Sequence, residues 1–205
     1  MSKSADRSVI QHLIDGFLSA WESGSWDSAK GWFSGNCQLI TSHMSSHEGG
    51  REIAEAFKQD RAKTDVLSLK ATNRYVGAAE SDGAFSFYVF GQMNKATKSK
   101  GFGFGMTVTG SLKKTASSWH FERVLIALNW VTGDHSLATH WTLPPGDDGW
   151  RIGDPAPTIV SEIDSPWLAF SHSTPAASAR ESIADTYARY SWALDQGDMH
   201  LLSSC

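Results

Sequence analysis

"VLSLKATNRYVGAAESDGAFSFYVFGQMNKATKSKGFGFGMTVTGSLKKTASSWHFERVLIALNWVTG", residues 66–133, decides the fold. It holds four long extended stretches, rich in β-branched and aromatic residues, with no helical spacing. "ESDGA", "TKSKG" and "KKTAS" separate them and read as hairpin turns, so the segment predicts four antiparallel strands. Gly101, Gly103 and Gly105 alternate as in a dinucleotide-binding fingerprint, but no helix follows them. They stand inside a strand pattern, where glycine permits bending or the close approach of a neighbour.

Upstream the period is helical. Val9, Ile10, Leu13, Ile14, Phe17, Leu18 and Trp21 form one apolar stripe over residues 7–22, as an amphipathic helix requires. "SGSWD" breaks it, and Trp26 to Phe33 reads as a second short helix with Ser25 as its cap. "CQLITSHM" reads as a strand, and "HEGGREIAEAFKQDRAKT" as a third helix that turns Ile53, Ala56 and Phe57 inward. Helix, helix, strand, helix and then four strands is the order of an α+β fold, a curved sheet around helices. That domain spans residues 1–131. Residues 132–179 form a Pro- and Gly-rich arm, read as extended, and residues 180–205 restart the opening helix. In "ESIADTYARYSWALDQGDMHLLSSC", Ile183, Tyr190, Ala193, Asp195 and Gly197 fall on Ile10, Phe17, Ala20, Glu22 and Gly24 without a gap.

Composition narrows the function classes. The chain has 205 residues, 40% hydrophobic and 20% charged, with a formal net charge of −4, which gives no basic field for nucleic acid. Lys95, Lys98 and Lys100 read as a solvated turn. Two cysteines, Cys37 and Cys205, make no disulfide framework. No apolar run is long enough to span a membrane and no signal-type core opens the chain, so a cytoplasmic location is expected. Nine Trp, ten Phe and four Tyr suit a large apolar cavity, and equally an aromatic core or interface.

"FLSAWESGSWDSAKGWF", "EGGREIAEAF" after the first strand and the closing strand "WHFERV" together resemble the SnoaL-like branch of the nuclear transport factor 2-like superfamily. The resemblance covers about residues 7–131 and begins again near residue 180, which implies a cone of curved antiparallel sheet around three N-terminal helices, followed by a second copy cut short or by a C-terminal helix of the domain itself that resembles the first. It also implies dehydratase, isomerase or hydrolase chemistry, although the superfamily includes members without catalysis. The aromatic residue and the acid that such dehydratases place at the end of the first helix correspond to Trp21 and Glu22. Their two strand histidines have no counterpart: Asn73, Arg74, Gln92 and Asn94 stand in those segments. His43 is the titratable group nearest the isomerase-type base position.

The expected function is a cofactor-independent lyase or isomerase acting on a small hydrophobic, aromatic or polycyclic molecule, and no cofactor or metal is called for. Glu22 would move the proton, with His43 or Tyr88 polarising an oxygen. Trp21, Arg74, Asn94, Phe102, Phe104 and Met106 would bind the substrate. His43 and His47 have four-residue spacing but no helix and no third ligand, which argues against a metal pair. A non-catalytic ligand-binding or dimerisation module stays open beside the enzyme, and self-association as a dimer is expected in both cases.

Overall fold

The computed structural model describes residues 3–29, 31–116, 118–145, 152, 156–171 and 178–205. Helix α1 (Lys3–Ser23) is followed by a 3₁₀ turn at Asp27–Ala29, strands β1 (Phe33–Thr41) and β2 (His47–Glu48), and helix α2 (Gly50–Ala62). Strands β3 (Val66–Ala79), β4 (Asp82–Asn94), β5 (Phe102–Thr115) and β6 (Ser118–Gly133) then run in succession. They lie in one six-stranded sheet of order β2-β1-β6-β5-β4-β3. The four long strands pair antiparallel in sequence order, and β1 joins β6 in parallel. The architecture is therefore α+β with a mixed sheet. Two helices, not three, precede the long strands, because "SWDSA" has room only for a 3₁₀ turn before β1 begins at Phe33.

Most of the α1 stripe predicted from spacing is buried: Ile10, Ile14, Phe17 and Trp21 are at most 2% exposed and Leu18 is buried, whereas Leu13 is half-buried and Val9 turns out to solvent. Opposite lie Phe85, Phe87, Val89 and Met93 of β4, and Phe102, Phe104, Met106 and Val108 of β5. Period-2 alternation turns these residues to one face. Gly91 is required there, since a Cβ would meet Phe104 Cζ at 1.9 Å.

The segment expected as an extended arm is folded and divided between the two faces: residues 137–143 pack into the first core, while residues 159–167 and the tail cover the other face of the sheet. A 3₁₀ turn lies at His135–Ala138, and short helices α3 (Ser161–Asp164) and α4 (Pro166–Ala169) follow. They lead to α5 (Ala179–Asp195) and α6 (Met199–Leu202). Trp192, Ala193, Leu201 and Ile159 form a second core with Leu125 of β6, flanked by Ile40, Ala127 and Trp167. Trp192 Nε1 donates to Ser161 Oγ at 3.0 Å, and Ser161 Oγ donates to Asp198 Oδ2 at 2.6 Å. Asp198 also caps α6 through Leu201 N. Asp185 of α5 pairs with Arg7 of α1 at 2.9 Å. No helix among the described residues is long and apolar enough to cross a membrane.

α5 and α1 share a plan. Each ends in a glycine with positive φ, Gly24 at 75° and Gly197 at 66°, and each is followed by one short helical turn in the same register. They bury opposite faces. α5 buries Ala188 and Trp192, which correspond to the exposed Asp15 and Ser19 of α1.

Because Trp192 ties the tail to the sheet, Trp192→Ala should lower unfolding stability by about 3–5 kcal/mol. Urea titration measures this, and an unchanged midpoint would mean that the tail contributes nothing to the fold.

Candidate functional site

A carboxylate occupies the apolar stripe of α2. Ile53 and Phe57 point inward, and the next residue at that spacing is Asp60, which is 0% exposed. Its oxygens accept three hydrogen bonds: Trp21 Nε1 to Oδ2 at 2.6 Å, Trp141 Nε1 to Oδ1 at 2.8 Å, and His140 Nε2 to Oδ1 at 2.7 Å. An ionised carboxylate only accepts, so His140 carries its proton on Nε2 and directs Nδ1 away from Asp60. That Nδ1 is buried and has no protein partner.

His43, in the turn after β1, completes the group. Its ring stands edge-on to the Trp141 indole, 4.6 Å between centroids, and its carbonyl accepts from Thr142 N at 2.8 Å. The side chain is fully buried, and neither ring nitrogen has a protein partner. Burial, with a further push from His140, lowers its pKa from 6.5 to about 3, so the ring is neutral at ordinary pH. Trp141 itself lies edge-on against Phe104 at 5.0 Å and Phe102 at 5.7 Å. The segment after β6 thus folds back and fills the cone with the chain's own indole.

Five of the nine residues expected from sequence face this interior. Trp21 and His43 belong to the polar cluster, and Phe102, Phe104 and Met106 line the packed sheet face around it. The other four are held elsewhere. Glu22 Oε1 accepts from Leu69 N at 2.8 Å, where β3 as an edge strand has a free donor. Arg74 follows Asn73 (φ 49°) at a bulge in β3 and pairs with Asp15 on α1. Asn94 is fastened through its backbone to Thr64 and Asp65. Tyr88 aligns with Thr107 and Thr72 on the face covered by α5, where burial and the Asp195 carboxylate raise its pKa.

Asp60, His140 and Trp141 escaped the sequence reading. The signal for Asp60 was present, an acid at the fourth place of an inward stripe. "ATHW" gives no periodic signal, because its partners are distant in sequence.

No family model matches the chain, and no curated protein matches it either. Solved structures do. A hexachlorocyclohexane dehydrochlorinase (LinA, type 2) superposes with a TM-score of 0.57 at 14% identity, covering 69% of this chain and 95% of that one. A Novosphingobium aromaticivorans protein provisionally named a scytalone dehydratase gives 0.58 at 10% identity, covering 69% and 94%. A provisionally named dehydratase of the NTF2-like family from Streptomyces avermitilis gives 0.55 at 11%, covering 63% and 99%. The fold is NTF2-like. At these identities the likeness carries the fold alone.

Two outcomes test the site. Asp60→Ala strands two indole N–H groups and a histidine donor in the interior, and should cost about 3–5 kcal/mol by urea titration. His43 tests the other side through pH. Its folded pKa lies below its unfolded value, so its contribution is complete above the unfolded value of 6.5 and is lost as pH falls toward about 3. The slope approaches about 1.4 kcal/mol per pH unit in that window. His43→Phe should flatten it, and an unchanged slope would place the titration on another group.

Proposed function

We propose that the chain is a cofactor-independent lyase- or isomerase-type acid–base catalyst of a small hydrophobic molecule, with His140 rather than Glu22 as the proton carrier. The observation that carries this reading is the Asp60–His140 pair, in which one imidazole nitrogen is fixed by a buried carboxylate and the other is unpartnered. Such a pair is what proton abstraction needs: the carboxylate sets the tautomer and stabilises the imidazolium that forms. In an elimination, Nδ1 takes a proton from carbon, the C–H electrons form the double bond, and the leaving group departs with its own pair. Neutral His43 donates a hydrogen bond to the departing or polarised atom without placing a second positive charge beside His140. Phe102, Phe104 and Trp21 supply apolar and aromatic walls. Entry requires Trp141 to leave its place. The adjacent peptide then moves His140 as well, so access and base position are coupled.

A second reading, a non-catalytic ligand-binding or dimerisation module, draws support from Trp141, which fills the interior, and from Glu22, which is committed to Leu69. For the tail we propose the opening unit of a second cone-like domain, on the strength of the matched helix, left-handed glycine and short turn. The dimer expected from sequence also belongs among the proposals.

The test is turnover of hydroxylated and halogenated cyclic hydrophobic compounds by the wild type, His140→Gln and Trp141→Ala. His140→Gln should keep the fold and lose about 10²–10⁴-fold in rate. Trp141→Ala should bind apolar probes more tightly by opening the indole's space. Binding without turnover in every variant would favour the module, and full activity in His140→Gln would refute the proposed base.

A further inference from the structure

Where α5 ends against the sheet, the face turned away from the first core carries a cavity of about 330 Å³, at the lower end of the size range of small-molecule sites. One register row supplies its aromatic wall: Phe90 of β4, Gly105 of β5 and Trp130 of β6 are cross-strand neighbours. Gly105 is required in the middle of that row, because a Cβ there would run into the Trp130 indole. The indole therefore lies over Gly105 and reaches toward Phe90, with 6.2 Å between ring centroids and the planes tilted by 45°. Both rings stay open to solvent, Phe90 at 47% and Trp130 at 43% exposure.

The acid at the rim of this cavity has no counter-charge. Asp195 is the last residue of α5, lines the cavity and forms no ion pair among the described residues. A helix C-terminus is the negative end of the macrodipole, where a cation stabilises and an acid does the reverse. The last turn of α5 nevertheless holds no basic residue. Trp192, one turn earlier, fixes this end of the helix on the sheet. The carboxylate is thereby kept close to the Tyr88 phenol, whose pKa is raised by burial and then by Asp195. On the cavity floor Asn129 Nδ2 donates to the buried Thr107 hydroxyl at 2.8 Å, which leaves Asn129 Oδ1 as a further acceptor. Lys70, opposite Phe90 on β3, is the nearest cation in register, but it neither lines the cavity nor pairs with Asp195.

We propose that this cavity binds a small alkylammonium ion, seated over the rings of Phe90 and Trp130 with its charge against the Asp195 carboxylate. A cation is attracted to an aromatic face within about 6 Å of the ring centroid, and the two rings are close enough for one ion to reach both. The unpaired carboxylate and the negative helix end act on the same charge. An anion would be repelled by both, and an uncharged apolar ligand would cover the rings but leave the carboxylate unanswered. The site is separate from Asp60, His140 and His43, which lie on the other side of the sheet, and it does not depend on the chemistry proposed for them.

Titration with tetramethylammonium, choline and butylammonium tests the site, followed by NMR of the indole N–H signals, with circular dichroism melts to follow the fold. Dimethylbutanol, the uncharged carbon isostere of choline, is the control. At least one of the three cations should bind saturably and shift the Trp130 signal, and dimethylbutanol should bind more weakly than choline by roughly tenfold. Trp130→Leu and Asp195→Asn should each weaken the cation by roughly tenfold, with little change in the melt, since both side chains are exposed. Added salt should weaken binding to the wild type and have less effect on Asp195→Asn. His140→Gln should bind the cation as the wild type does. Saturable binding by none of the three cations would overturn the proposal. So would equal binding of choline and dimethylbutanol, or cation binding that survives both Trp130→Leu and Asp195→Asn.

Discussion

A buried carboxylate joins three segments of this molecule that lie far apart in sequence. Asp60 sits on α2, while its three donors come from α1 and from the segment beyond β6. Burying an ionised group of this kind is costly unless strong donors surround it. Here two indole N–H groups and one imidazole N–H do so, and none of them brings a long flexible side chain into the core. The same bonds fix where Trp141 goes. Once its Nε1 is bound to Asp60, its ring packs against Phe102 and Phe104 in the buried core.

In the proposed reading, function and stability share one set of contacts. The interior that could hold a ligand is occupied by Trp141, and the groups that could act on a ligand are its neighbours, His140 in sequence and His43 in space. Three ring nitrogens without a protein partner in such a place are an expense the fold does not need for packing. A purely structural core would replace them with apolar groups of similar shape, at little loss. These unpartnered nitrogens support the proposed chemistry, and the Trp141 indole that fills the interior supports the binding-module reading.

The fold was largely legible in the chain because its signals are periodic and local. The α1 stripe, the Phe102–Val108 alternation and the three hairpin turns each follow from neighbouring residues. The second short helix shrank to a 3₁₀ turn because β1 starts at Phe33, a competition that helical spacing does not register. The site was half legible. Trp21 and His43 were found, but Glu22 was drawn away by a free edge-strand donor at Leu69, and Tyr88 faces α5. Asp60 could have been noticed as an acid on an apolar stripe. His140 and Trp141 could not, because their role depends on a chain reversal that places them 80 and 81 residues from their partner. The likeness of the tail to the opening helix was visible in the sequence, but not that α5 buries a different face, which depends on the Trp192 contacts with the sheet.

Hydrogen exchange of the indole protons, read by NMR, tests the Asp60 account most directly. Trp21 and Trp141 should exchange far more slowly than Trp130, whose side chain is partly exposed, and Asp60→Asn should release both together. A Trp141 proton that exchanges as fast as that of Trp130 in the wild type would contradict the closed, carboxylate-held cone.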